Sequence, residues 1–337
     1  MMKNNKSVII ILSIVIITSI ILATNFSSSS FAQEKANTEL IGFNHIRKFD
    51  SNGQFITSWG SKGSGEGQFL HAHGIGVDSS TGNVYVSDDD KDNIQKFDNN
   101  GKFITSWGSK GSGEGQFVVP ESIAVDSAGN VFVADYGNHN IQKFDNNGKF
   151  ITSWGSKGSG EGQFQRPWGV AVDSAGNVYV SDQNKPVIQK FDNNGKFITS
   201  WGSRGSGEGQ FVHLHDIAID SNDNVYVTDG RENSRVSKFD SNGKFITSWG
   251  SKGSGNGQFN ENHGIDIDSS GNVYVVDTRN NRIQKFSSDG TFIHKWGSTG
   301  CGAGEFLIPH DITIDSSDNI YISDSGNVHF KSKVKCP

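Results

Sequence analysis

Four of the ten histidines in this 337-residue chain, His73, His215, His263 and His310, occupy one place in a recurring pattern. Each stands two residues ahead of an Ile or Val that opens a short apolar run, and the two remaining copies carry Glu121 and Trp168 there. Asp216 and Asp311 follow directly, with His71 and His213 just before. Equivalent residues of a repeat that closes on itself meet around one axis. Imidazoles joined by a carboxylate are a ligand set for zinc or a similar divalent ion. A metal held so would polarise a carbonyl or lower the pKa of a bound water. The plainer alternative is a solvated channel lining whose histidines were copied by repeat duplication.

The elements that must position these groups are legible in the period. A Trp-Gly pair recurs at Trp59, Trp107, Trp154, Trp201, Trp249 and Trp296, spaced 47 or 48 residues apart. Between Gly108 and Trp154 one copy reads in full. A Gly-rich segment ends at Phe117, then an apolar strand runs Ile123-Ala124-Val125-Asp126, and the turn Ser127–Asn130 leads into Val131–Asp135. A variable loop precedes Ile141–Asp145, which alternates with period two; Asn147-Gly148 then signals a tight hairpin into Phe150–Trp154. Four short antiparallel strands per unit, with no helical period, describe the blade of a propeller. The expected fold is all-β, a six-bladed β-propeller of four-stranded blades.

The halves of the repeat are offset along the chain. The outer pair occurs first, over residues 46–59, and the last inner pair ends at Asp324 without outer strands after it. N-terminal outer strands are therefore expected to pair with C-terminal inner strands, which closes the ring and leaves no open sheet edge at the seam. The pattern GxGxGQF…IAVDSxGNVYVxDxxNxxIQKFDxxGKFITxWG resembles the NHL repeat over residues 46–324. That resemblance also implies six blades. The tryptophans read as packing between sheets. Asp78, Asp126, Asp173, Asp220, Asp268 and Asp315 read as turn residues, and Asp88, Asp135, Asp182, Asp229, Asp277 and Asp324 are expected to act in the same way.

Function is expected where the copies differ. The loops entering the first strand and linking strands two and three share one face, around the mouth of the axial channel. Residues 88–91, 136–139, 183–185, 230–233 and 278–281 shape it, and its candidate binding residues are Tyr136, Trp168, Asp216, Arg231, Arg279 and Asp311. The candidate metal set is His73, His215, His263, His310 and Glu121. Segments around His263-Gly264 and Pro309-His310 resemble the Pro-His-Gly-like zinc context of peptidyl-α-hydroxyglycine amidating lyases. Val227–Arg235 resembles the segment bearing their catalytic tyrosine. The resemblance implies a zinc-dependent lyase. In this register Arg231 takes the tyrosine's place and Trp168 that of one zinc histidine.

Composition and termini bound the rest. Lys3 and Lys6 precede an apolar run from Val8 to Ala23, and Ser30-Phe31-Ala32 suits cleavage after Ala32. Residues 1–32 thus read as a signal peptide or an N-terminal anchor, 33–42 as a linker, 43–327 as the propeller and 328–337 as a tail. In an exported chain Cys301 and Cys336, the two cysteines present, read as a disulfide. A net charge of −6 without a basic cluster argues against nucleic acid as partner. No GxSxG elbow, nucleophilic cysteine or phosphate-cradling loop occurs. The leading expectation is a monomeric binding module, secreted or tethered outside the cytoplasm, for a protein, peptide or glycan. The competing one is a lyase or hydrolase built on a channel metal.

Overall fold

In the computed structural model, residues 44–326 are described. The expected leader, linker, tail and Cys336 lie outside them. Among the described residues no helix is long and apolar enough to cross a membrane.

Among the described residues, twenty-four strands of five or six residues form six four-stranded antiparallel sheets. Blades one to six are named by their inner strands, Ala72–Val77, Pro120–Val125, Pro167–Val172, Leu214–Ile219, Asn262–Ile267 and Pro309–Ile314. Each inner strand packs beside the next, and the sixth beside the first, so the ring is closed. Blade six is composite: His45–Phe49 pairs with Ile320–Asp324, with Ile46 opposite Ser323, and Phe55–Trp59 forms its outer edge. The offset halves of the repeat join here as the sequence requires. A short 3-10 turn, Thr278–Asn280, interrupts the β pattern.

Blades are fastened to one another by the repeated tryptophans. Trp107 packs on Phe144 and Tyr85, and its indole lies against Gly148 in the hairpin of the next blade. A Cβ on Gly148 would come within 2.5 Å of that ring, and its φ is +81°. Trp296 meets Gly53 in the same way, so the seam is packed like every other junction.

The second strands are buried throughout, because each lies between strands of its own sheet and the faces of two neighbours. Their terminal aspartates bind their own loops as expected and reach further as well. Asp126 and its equivalents do bind their own turns, accepting from Ala128 and Asn130 N–H. Asp135 accepts from Asn138 N–H three residues on and also from Val118 N–H at 3.0 Å, and Asp182 accepts from Lys185 N–H and also from Gln165 and Arg166 N–H. Asp88, Asp229, Asp277 and Asp324 likewise hold the loop that enters their inner strand. These fully buried carboxylates anchor the loops of the variable face in addition to their local bonds.

Candidate functional site

The inner strands begin three residues earlier than the apolar run suggests, at Pro120 rather than Ile123 in blade two. In every blade the pairing register slips between the first and fourth residues of that strand, as between Pro120 and Ile123. Such a bulge re-aims side chains. It turns His73, Glu121, Trp168, His215, His263 and His310 into one layer across the axis.

That layer is packed. Ring centroids lie 4.6 Å apart for His73 and His310, 5.3 Å for His263 and His310, and 4.0 Å for His215 and His263. Trp168 lies 5.3 Å from neighbouring His215, but also 5.4 Å from His73 and 6.2 Å from His263, each two blades away. Its indole therefore reaches over the axis and closes it. Only about 10 Å³ remains among Trp168, His263, His310, Asp216 and Asp311, room for roughly one water. The expected wet, open channel is replaced by an aromatic plug, because one indole and four imidazoles fill the cross-section.

One imidazole–carboxylate pair lies within the plug. His73 Nδ1 and Glu121 Oε2 lie 2.8 Å apart. Burial opposes a charged His73, but Glu121 outweighs it and the imidazole is pushed up to about 9. Burial, then neighbouring imidazoles, holds His215 and His310 well below the usual histidine range. Burial also lowers His263. His215 Nδ1 is tied to Asn262 O at 2.9 Å, whereas both ring nitrogens of His263 and of His310 lack a hydrogen-bond partner. The rings pack on each other without turning their nitrogens to a common point. Among the described residues no group of three or more His, Cys, Asp or Glu side chains is arranged to hold a metal ion. The expected zinc does not fit this arrangement, and no chemical step is routed through one.

Below the plug the next residues alternate: Gly74, Ser122, Gly169, Asp216, Gly264, Asp311. The glycines leave no room for side chains, since a Cβ on Gly74 would stand 1.9 Å from Glu121 O. Asp216 and Asp311 share this layer, and burial, then their mutual repulsion, raises Asp216 well above the carboxylate range. Asp311 is raised too, by burial. Asp311 accepts from Ile75 N–H at 2.9 Å and Asp216 from Ile265 N–H at 3.2 Å, so both also tie neighbouring inner strands. They face inward instead of forming the binding face expected of them. An axial cavity of about 170 Å³ continues from there toward the turns that follow the inner strands, with Asp266 on its wall. It opens on the face opposite to the variable loops.

Above the plug lies the variable face. His71 Nδ1 and Asp89 Oδ1 are 2.6 Å apart. The Arg166 guanidinium sits 5.1 Å over the Tyr136 ring, and that ring meets Trp168 edge-on at 5.8 Å. Arg231 Nε donates to Glu261 Oε1 at 2.9 Å, and Arg279 Nε pairs with the other carboxylate oxygen. Between blades two and three a cavity of about 450 Å³ is lined by Tyr136, His139, Lys157, Gln165, Arg166 and Asn184. Of the residues expected on this face, Tyr136 and Trp168 are thus brought together, as are Arg231 and Arg279. Sequence reasoning missed Arg166 and Glu261. Both stand two residues before the plug position, the register of His71 and His213, and reading that column across all six copies would have found them.

These features define a six-bladed β-propeller with a closed axis and a charged, loop-built face. The 6-bladed beta-propeller family matches residues 172–233, 221–287 and 270–331, and the NHL repeat matches 117–144. The chain thus has the fold of a six-bladed β-propeller and carries a recognisable NHL repeat. Comparison with curated proteins finds no match. Among solved structures it is similar to a catalytically inactive virginiamycin B lyase from Staphylococcus aureus with quinupristin. The identity is 16% over 75% of this chain and 78% of that one, with a TM-score of 0.55. A gluconolactonase from Xanthomonas campestris is 12% identical over 83% and 89%, with a TM-score of 0.56. A chain of the nidogen/laminin complex is 16% identical over 75% and 93%, with a TM-score of 0.54. Enzymes and a binding protein share the fold at these low identities, so the likeness speaks to architecture alone.

Proposed function

We propose that this protein is a binding module of the cell exterior that takes a protein, peptide or glycan on its variable face. The observation that carries this reading is the 450 Å³ cavity between blades two and three, beside an axis sealed by Trp168. Its volume lies in the range of small-ligand sites. Tyr136, cross-braced by Arg166 and Trp168, offers a rigid aromatic wall, with Lys157, Gln165 and Asn184 as polar contacts. Placement outside the cytoplasm is supported by the basic-then-apolar N-terminus and by Cys301, which is disulfide-bonded. The chain's only other cysteine is Cys336.

Peptide and glycan arrays probed with the purified protein test this. Tyr136→Ala and Arg166→Ala should abolish a signal that the opposite-face control Asn147→Ala leaves intact. An array without signal, or one that all three variants retain, would sink the proposal.

A second reading, a lyase or hydrolase at the plug, is favoured by the four unpartnered nitrogens of His263 and His310. A metal there would require the rings to turn. Stoichiometric zinc in the purified protein, lost in His263→Ala and His310→Ala, would establish the metal site that reading needs. Substoichiometric metal would end it.

A further inference from the structure

The cluster over blades four and five is built like an occupied receptor. Arg231 comes from the loop linking strands two and three of blade four, Arg279 from the 3-10 turn of blade five, and Glu261 from the loop entering blade five. Glu261 bridges the two guanidiniums, one to each carboxylate oxygen. It does so from a left-handed backbone, φ +60°, which at this loop position only Val119 shares. A glutamate holds that conformation when its surroundings impose it. Arg231 spends one nitrogen, Nε, on the contact, and its side chain is 56% exposed. Planar guanidiniums suit two-point recognition of a carboxylate, and Glu261 meets that of Arg231 through a single Nε. Beneath them, His213 Nε2 and both nitrogens of His263 are buried without partners, with His263 Nε2 3.8 Å from Glu261 Oε1 and beyond hydrogen-bond reach.

We propose that Arg231 and Arg279 form a clamp for the carboxylate of an acidic peptide, and that Glu261 is a built-in occupant which such a ligand displaces. The inference rests on the variable-face reading and names its ligand chemistry and its brake. The incoming carboxylate replaces Glu261 between the guanidiniums, and Glu261 is left to leave its strained position. Neutralising the internal competitor therefore strengthens acidic ligands and leaves neutral ones unchanged.

Calorimetric titration with the dipeptide Asp-Asp, and with Asn-Asn as neutral control, tests it. Glu261→Gln should bind Asp-Asp roughly tenfold more tightly than the unaltered protein, the scale of two lost surface ion pairs. Adding Arg231→Ala should remove the gain. Glu261→Gly, which suits the left-handed backbone, provides a second variant if the first folds poorly. Unchanged Asp-Asp affinity in both variants, an equal gain for Asn-Asn, or a gain that survives Arg231→Ala would overturn the clamp. Tyr136→Ala reports on a different cavity, so loss of array signal there, with no response to Glu261, would sink the clamp and spare the binding face.

Discussion

Asp266 offers the sharpest quantitative test of how the axis is built. It occupies the fifth position of the blade-five inner strand, where other blades carry Gly76, Ala124, Ala171, Ala218 and Thr313. Its oxygens accept from Ile267 N–H at 2.8 Å and Ile314 N–H at 2.7 Å, on the wall of the axial cavity. Burial, the largest influence, outweighs those bonds and pushes its pKa from 3.8 up to about 7. The folded state thus retains a proton that the unfolded chain has released. Stability falls as pH rises from about 4, where the unfolded carboxyl ionises, and levels off above about 7, where the folded one does. Three pKa units would be about 4 kcal/mol, and because Asp266 borders a cavity rather than sealed protein, a loss of about 2–4 kcal/mol is expected. Asp266→Ala puts the residue of three sister blades in this place and should abolish that loss. Urea unfolding at unit steps from pH 4 to pH 8 reads it directly. The variant should gain on the wild type by roughly 1 kcal/mol per pH unit up to pH 7, then run parallel. Repulsion from Asp311 also raises Asp266, so part of the gain comes from relaxing Asp311 in the same direction. Parallel stability curves over the whole range would refute the reasoning.

Three further outcomes follow from packing. Gly148→Ala forces a Cβ to within 2.5 Å of the Trp107 indole at φ +81°, and should lower stability by about 2 kcal/mol or more in urea melts. Trp168→Ala removes the side chain that crosses the axis and should cost about 3 kcal/mol while joining the axial cavity to the variable face. Xenon binding followed by calorimetry would detect the opened void. Reducing the disulfide at Cys301 should lower the unfolding free energy by about 2–4 kcal/mol, the usual contribution of a native disulfide. Melts with and without reductant would show it.

The repeat alone determined the fold. Its period, its turn residues and the offset of its halves leave one arrangement that buries each apolar strand and closes the ring, and Ile46 opposite Ser323 is where that logic comes to rest. The circle of histidines was equally legible, because identical repeats must present identical positions to one axis. What the circle does was decided by tertiary packing. No pattern in the chain says that the bulge at each inner strand turns these side chains inward, that Trp168 spans the centre, or that Glu261 falls between Arg231 and Arg279. Those contacts join residues one, two or more blades apart, and their distances depend on the radius of the closed ring. Periodicity fixes which residues share a layer, and only the packed ring fixes whether that layer is a channel or a plug.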